Sequence, residues 1–254
     1  MLTTNEFLET LPELGDGKKV VSILSGGLDS STLTGLLVKK YGADNVFALT
    51  YNYGQRLDYE IQCAQKICEK FNVKHRIIDI SFFGEIVKDV CSLAHDGLDV
   101  PHIEDTLGDP QCPTYVPFRN QLLLSLGFTF AEANNAEYIF YGAQGQDVYQ
   151  YWDTTPEFVE RLNAVADLNR KHKIEIKAPF IPFSKEEEVI WGTEIGIDYA
   201  DTWTCYNGPD KDGKACGTCP GCSDRIQHFM KAGIKDGIEY KNKIDWEAGF
   251  KQFQ

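Results

Sequence analysis

The chain has 254 residues, 38 of them acidic and 25 basic, for a formal charge of −13, and 43% are hydrophobic. That suits one large domain, or one domain plus a small appendage, with a real core. The acidic balance speaks against a broad nucleic-acid surface, so no stable nucleic-acid binding is expected, while a small anionic substrate needs only a few donors in a pocket. No segment reaches the roughly 20 consecutive apolar residues of a membrane span, and residues 1–17 lack the basic and apolar regions of a signal peptide, which leaves the cytoplasm as the expected location.

The apolar run Lys19–Leu24 reads as a strand, followed by a Gly-Gly turn and a helix from Asp29 to Lys40. Asn45–Tyr51 reads as a second strand. Asp58–Phe71 has helical spacing, with Ile61, Ala64, Ile67, Cys68 and Phe71 on one stripe, and Val73–Ile80 reads as a third strand. Residues 91–117 hold Pro101, Pro110, Pro113 and Pro117 and read as a long loop, of the kind that forms lids or binding loops. A helix from Arg119 to Asn134, a strand Glu137–Tyr141 and a loop over 142–155 follow. Pro156 suits the first position of a helix that runs to Asn169. Ile174–Ile181 is the expected fifth strand. Ser184 opens a helix to about Ile195, with Glu187 three residues on as its capping-box partner.

This alternation predicts an α/β fold: a doubly wound, mainly parallel five-stranded sheet with helices on both faces. A small C-terminal four-cysteine zinc-binding region and a short helix close the chain. The expected division is a nucleotide-binding domain over residues 1–200 and a zinc-binding region over 201–254 packed on it.

Ser25-Gly26-Gly27-Leu28-Asp29-Ser30 lies between the first strand and the first helix. Glycines let the backbone approach a ligand closely. Exposed N–H groups and the positive helix end then face one concavity, which suits a pyrophosphate. Ser25, Ser30 and Ser31 add hydroxyls. The alternative is a strand–helix turn with glycines for geometry alone. The hexapeptide resembles the PP-loop of the ATP pyrophosphatase family, whose members cleave ATP between the α- and β-phosphates. The resemblance implies ATP contacts at Leu24, Ser25, Gly26, Gly27, Leu28, Asp29, Ser30 and Ser31, with Asp29 organising Mg²⁺ and pyrophosphate.

Cys205, Cys216, Cys219 and Cys222 fall within a short span. Four thiolates can close a tetrahedral zinc shell with no open position, so the expected site is structural. An iron–sulfur cluster, redox disulfides or buried thiols are the alternatives. Cys63 and Cys68 read as core. Cys91 and Cys112 flank the long loop, where a sulfur-transferring thiol is the alternative to an ordinary one. His75, His95, His102, His172 and His228 lack paired metal spacing and read as surface or structural residues.

Three further stretches narrow the resemblance: Tyr53-Gly54-Gln55-Arg56, Tyr115-Val116-Pro117-Phe118-Arg119-Asn120 and Trp203-Thr204-Cys205-Tyr206-Asn207-Gly208. With the loop and the cysteines, they resemble the 7-cyano-7-deazaguanine synthase family over about residues 19–240. The resemblance implies that 7-carboxy-7-deazaguanine, ammonia and ATP yield the nitrile 7-cyano-7-deazaguanine, on the way to queuosine. It implies a homodimer, ATP and Mg²⁺ as partners in turnover, and a resident Zn²⁺. Asp29, Ser30 and Arg119 are the expected catalytic residues. Arg56 is expected on ATP; Tyr53, Gln55, Phe118, Arg119, Asn120, Gln144, Asp147 and Trp152 are expected around the substrate. For Arg56 and Arg119 an ordinary salt bridge is the plain alternative, for Asn120 a helix-start donor, for Asp147 a solvated acid. Phe118, Tyr149 and Trp152 offer rings for stacking or for packing.

Two departures stand near the substrate. Family members often carry an acid followed shortly by Ser-Gly-Tyr-Pro-Asp, where this chain reads Asp147 to Phe158 without it. They often carry His after the Arg of the Tyr53–Arg56 motif, where this chain has Leu57. These motivate a second reading: a relative that adenylates a carboxy-deazaguanine and conjugates it to another amine, on a protein or a nucleic acid. Another PP-loop amidating or thiolating enzyme, or a noncatalytic nucleotide-binding or tRNA-binding module, completes the alternatives.

Overall fold

The computed structural model describes residues 1–105, 109, 111–145 and 151–253. Five strands form one sheet: β1 Lys19–Ile23, β2 Val46–Asn52, β3 Lys74–Asp79, β4 Ala136–Tyr141 and β5 Glu175–Lys177. Their order is β3-β2-β1-β4-β5, and every neighbouring pair is parallel. The chain builds outward from β1 through β2 to β3, then returns to place β4 on the other side of β1. Strand order therefore reverses between β1 and β4, and a crevice opens beyond their C-terminal ends.

Side-chain alternation sorts the core into two layers. Val20, Ala48 and Phe140 face α1 (Thr4–Thr10), α2 (Leu28–Tyr41), α3 (Tyr59–Phe71), α7 (Lys185–Glu194) and α8 (Pro220–Ala232). Val21, Leu49 and Ile139 face α4 (Phe82–Val87), α5 (Arg119–Ala133) and α6 (Pro156–Ala166). The doubly wound arrangement is the expected one, because central parallel strands must be buried on both faces.

The capping signals act as read: Ser184 N–H donates to Glu187 Oε2 at 3.0 Å, and Pro156 sits in the first turn of α6 behind the Thr155 cap. The fifth strand is a correction. It covers Glu175–Lys177 rather than Ile174–Ile181, because Pro179 has no N–H to give a ladder. Helix α6 likewise stops at Ala166 rather than Asn169. Two short helices escaped the periodicity reading. One is α4; the other is α1, where Thr3 N–H bonds Glu6 Oε2 at 2.8 Å and Phe7 stacks on Trp191 with ring centroids 4.4 Å apart. Trp191 Nε1–H in turn donates to Leu2 O at 2.9 Å.

Residues 91–117 are irregular where described, apart from a short 3-10 turn at Ile103–Asp105. The start of this loop is tied down by Arg56 N–H to Leu93 O at 2.8 Å and Ser92 N–H to Pro113 O at 2.7 Å. No helix among the described residues is long and apolar enough to cross a membrane.

The C-terminal region is fastened by one buried guanidinium. Arg225, on α8, is 1% exposed. It donates to Asp236 through Nε at 2.7 Å and Nη2 at 2.8 Å, to Thr202 Oγ1 at 2.9 Å, Thr204 Oγ1 at 3.1 Å and Tyr199 O at 2.8 Å. Tyr240 donates to the same carboxylate. Removing one member of such a pair leaves a buried charge uncompensated. Asp236→Ala is therefore expected to lose about 3–5 kcal/mol of stability, to be measured by urea unfolding; a loss under about 1 kcal/mol would show that the network is dispensable.

Candidate active site

The Ser25–Ser30 loop turns at the C-terminal end of β1. Gly26 has φ +89°, and a Cβ there would stand 2.0 Å from Glu60 O, so only glycine fits against the start of α3. Ser25 and Ser30 hydroxyls lie 2.9 Å apart, and Gly27 N–H donates to Ser25 Oγ at 3.2 Å. Helix α2 begins at Leu28 without a side-chain cap. Its first-turn N–H groups thus present a positive end beside the loop. Gly142, just past β4, packs on the same turn; a Cβ there would be 3.1 Å from Ser30 N.

These elements wall a cavity of about 1000 Å³ in the crevice between β1 and β4. Ser25, Gly27, Leu28, Asp29 and Ser30 line it; Leu24, Gly26 and Ser31 lie beneath the loop, and Ser31 is fully buried. The opposite wall carries Tyr53, Gln55, Arg56, Arg119, Asn120 and Gln144. Gln55 spends its side chain on its own turn, accepting Tyr53 N–H at 2.8 Å. Gln144 is 3% exposed, and its Nε2 meets no hydrogen-bond partner among the described residues. Phe118 and Trp152 pack edge-to-face, centroids 5.2 Å apart, outside the cavity lining. Asp147 and Tyr149 lie outside the described residues.

Arg119 stands at the centre of a charged group. Its Nη1 donates to Tyr53 Oη at 3.3 Å, and the guanidinium lies over the Tyr53 ring. Burial opposes its charge, but Tyr53, Asp153 and Glu60 outweigh that and raise its proton affinity. Asp153, 4% exposed, is pushed upward by burial and pulled back by Arg119 and by hydrogen bonds from Asn120. Asn120 therefore acts here on a carboxylate that steadies its neighbour Arg119.

Sequence reasoning passed over Glu60, Asp153, Lys185 and Asp224, all of which line the cavity. Glu60 lies in the first turn of α3, and Lys185 follows a cap residue. Asp153 sat unremarked in the loop over 142–155, and Asp224 lay beyond the last cysteine. Only the fold joins them: Lys185 Nζ is 2.6 Å from Asp224 Oδ2 and 3.8 Å from Asp29 Oδ2.

The sulfurs of Cys205, Cys216, Cys219 and Cys222 all lie within 4.8 Å of one another. Cys216 and Cys222 Sγ are 3.8 Å apart, close to the edge of a tetrahedron with bonds of about 2.3 Å. Backbone N–H groups of Cys216, Thr218 and Cys219 point at these sulfurs at 3.3–3.4 Å. The four residues can hold a metal ion. Cys63, Cys68, Cys91 and Cys112 are all buried. Burial pushes Cys63 to about 11 and Cys68 to about 12, and raises Cys91, so these three are poor thiolate nucleophiles.

Comparison with known proteins gives a consistent result. The family profile described as "Queuosine biosynthesis protein QueC" matches residues 19–233. The 7-cyano-7-deazaguanine synthase of Hahella chejuensis is 39% identical over 226 residues, 88% of this chain and 94% of that one. Its counterpart in Pseudoalteromonas atlantica is 40% identical over 227 residues, 88% of this chain and 99% of that one. Among solved structures, the NH3-dependent NAD synthetase from Campylobacter jejuni aligns with TM-score 0.45 and 16% identity, over 76% of this chain and 70% of that one.

Glu60 supplies a pH test of the cavity. Burial pushes its carboxyl up to about 7, with Arg119 opposing and Cys205 adding to the rise. A raised folded value means stability that is present below the unfolded value and lost as the pH climbs through the folded one. Glu60→Gln should therefore gain on the wild type as the pH rises from about 5 to 7, with a flat difference above about 8. Melting curves across that range check it; a difference that does not move with pH would show that Glu60 titrates normally.

Proposed function

The chain belongs to the QueC family of queuosine biosynthesis proteins, and we propose that it converts 7-carboxy-7-deazaguanine and ammonia to 7-cyano-7-deazaguanine with ATP. The observation that carries this reading is near full-length similarity to 7-cyano-7-deazaguanine synthases. The site supports it with a glycine-rich loop at a helix N-terminus and a half-buried arginine facing one cavity. Nothing in the relatives favours a conjugating enzyme with another amine acceptor.

A carboxylate is a poor electrophile and must first be activated. Its oxygen attacks the α-phosphorus of ATP, and pyrophosphate departs into the Ser25–Ser30 loop. There, α2 N–H groups and the serine hydroxyls meet the developing negative charge. Ammonia attacks the acyl carbon, AMP leaves, and an amide results. The amide oxygen attacks a second ATP in the same way. Loss of the two N–H protons and of AMP then leaves the nitrile. Arg119, held by Tyr53, Asp153 and Glu60, grips the carboxylate and then the acyl phosphate, with Arg56 on ATP. Gln144 Nε2 donates to the deazaguanine; Asp147 remains the proposed acceptor for its N1–H and amino group.

Asp29 offers hard carboxylate oxygens beside the loop and would hold Mg²⁺, which supplies charge neutralisation on the phosphates. The compact sulfur cluster suits a single ion better than a multi-iron body, so Cys205, Cys216, Cys219 and Cys222 would hold Zn²⁺ as a structural closure. A cytoplasmic homodimer, with residues 1–200 as the nucleotide-binding domain and 201–254 as the zinc-binding region, belongs to the same proposal.

Purified protein with 7-carboxy-7-deazaguanine, ammonium and Mg·ATP is expected to release the nitrile and AMP, followed by mass spectrometry. Accumulation of adenylate or amide alone would turn the search to another amine acceptor; untouched ATP would overturn the reading. Asp29→Ala is expected to lower turnover by about 10²–10³-fold with the fold retained; an unchanged rate would remove the loop from the mechanism. Cys219→Ser should lose zinc, counted by elemental analysis, and melt at lower temperature. Full zinc content with an unchanged melting curve would dismiss the four-cysteine site.

A further inference from the structure

Helix α8 starts in the cysteine cluster, with Cys219 as its N-cap and Cys222 in its first turn. Two residues on, it directs Asp224 at the first turn of α7. Asp224 Oδ2 takes Lys185 Nζ at 2.6 Å, and its Oδ1 lies 3.2 Å from His228 Nε2, one helical turn further along. His228 Nδ1 is 2.9 Å from Glu186 Oε2, also on α7. A chain of contacts thus runs Glu186, His228, Asp224, Lys185, and ends 3.8 Å from Asp29 Oδ2 at the loop. His228, which read as a surface or structural residue, is one link of it.

The distances decide which partner positions the ammonium. At 2.6 Å the Asp224 contact is a charge-assisted hydrogen bond, whereas 3.8 Å to Asp29 is an ion pair without one. Lys185 is 9% exposed. A free lysine side chain carries rotamer entropy that this burial and bonding have already reduced. An ammonium has three donors, so a phosphate can be met while the bond to Asp224 persists. Asp29, Lys185 and Asp224 all line the cavity.

We propose that Asp224 and His228 are positioning residues: with Glu186 they hold the Lys185 ammonium beside the Ser25–Ser30 loop, where it contacts the phosphates of bound ATP. The cysteine-anchored helix then contributes to adenylation itself, beyond closing the fold. This rests on the ATP-dependent reading above. The wild-type nitrile assay tests that reading; the comparison of variants tests the positioning.

The experiment uses the zinc-loaded protein and follows carboxylate-dependent exchange of labelled pyrophosphate into ATP, alongside calorimetric titration with Mg·ATP and zinc counting. Asp224→Asn is expected to lower kcat of exchange about 30-fold or more, with KM for the carboxylate within about twofold and zinc retained. Asp224→Glu should recover most of that loss, which a purely steric role would not allow. His228→Gln, which leaves the Lys185 contact but frees Asp224 Oδ1, should fall about 3–10-fold. Asp224→Asn within about threefold of wild type overturns the proposal, as does a loss of zinc that Asp224→Glu does not repair. If Asp224→Asn does not fold, His228→Gln decides: reduced kcat at normal zinc content supports the positioning role, and unchanged kcat removes it.

Discussion

The buried pair of Arg225 and Asp236 is the constraint on which the C-terminal half of the site hangs. Its guanidinium joins α8, the 199–204 segment and the 236–240 segment in one set of hydrogen bonds. A buried ion pair yields little net stability compared with packed hydrocarbon. What it supplies is direction: every donor of Arg225 must find its acceptor, and only one placement of α8 satisfies them all. That placement matters at the loop, because Trp203 N–H, in the same pinned segment, donates to Gly26 O at 3.0 Å. The Ser25–Ser30 loop is therefore held from three sides, by β1, by the start of α3 and by the cysteine-rich region.

The same logic of opposed charges governs the facing wall. The chain is strongly acidic overall, yet its cavity concentrates Arg56, Arg119 and Lys185 with a helix N-terminus. Each deeply set cation is matched to carboxyls, Arg119 to Asp153 and Glu60, and Lys185 to Asp224. The cavity wall therefore interleaves these cations with Asp29, Glu60, Asp153 and Asp224. Gly26 lets the loop pack on the start of α3, and Gly142 lets backbone line the cavity beside Ser30.

Much of this was legible in the sequence, for identifiable reasons. The strand–helix alternation gave the parallel sheet because its hydrophobic runs are long and its turns are marked. The loop and the cysteines were legible because their chemistry depends on adjacent residues. Ile174–Ile181 misled because its apolar run continues through Pro179, which cannot join a ladder. Helices α1 and α4 span too few residues to show a period. Lys185, Asp224, Glu60 and Asp153 were overlooked for a different reason: each has a sufficient local explanation as a cap, a first-turn acid or a loop residue. Their shared role appears only when α7, α8, α3 and the 151–155 segment meet, and spacing along the chain does not encode that meeting.

Helix α1 has a consequence for how the molecule is made. Phe7 is wholly buried against Phe180 and Trp191, and Thr4 bonds Glu194. A ribosome delivers the two halves of this contact far apart in time. At about 5–20 residues per second, the N-terminal helix waits roughly 10–40 s for its partner on α7. During that interval the apolar face of α1 has nothing native to cover it, and the first seven residues of helix are too short to persist alone. The nascent α/β sheet can assemble through β4, but its outer layer near α1 closes only after α7 has emerged. The start of the chain is thus among the last parts to settle.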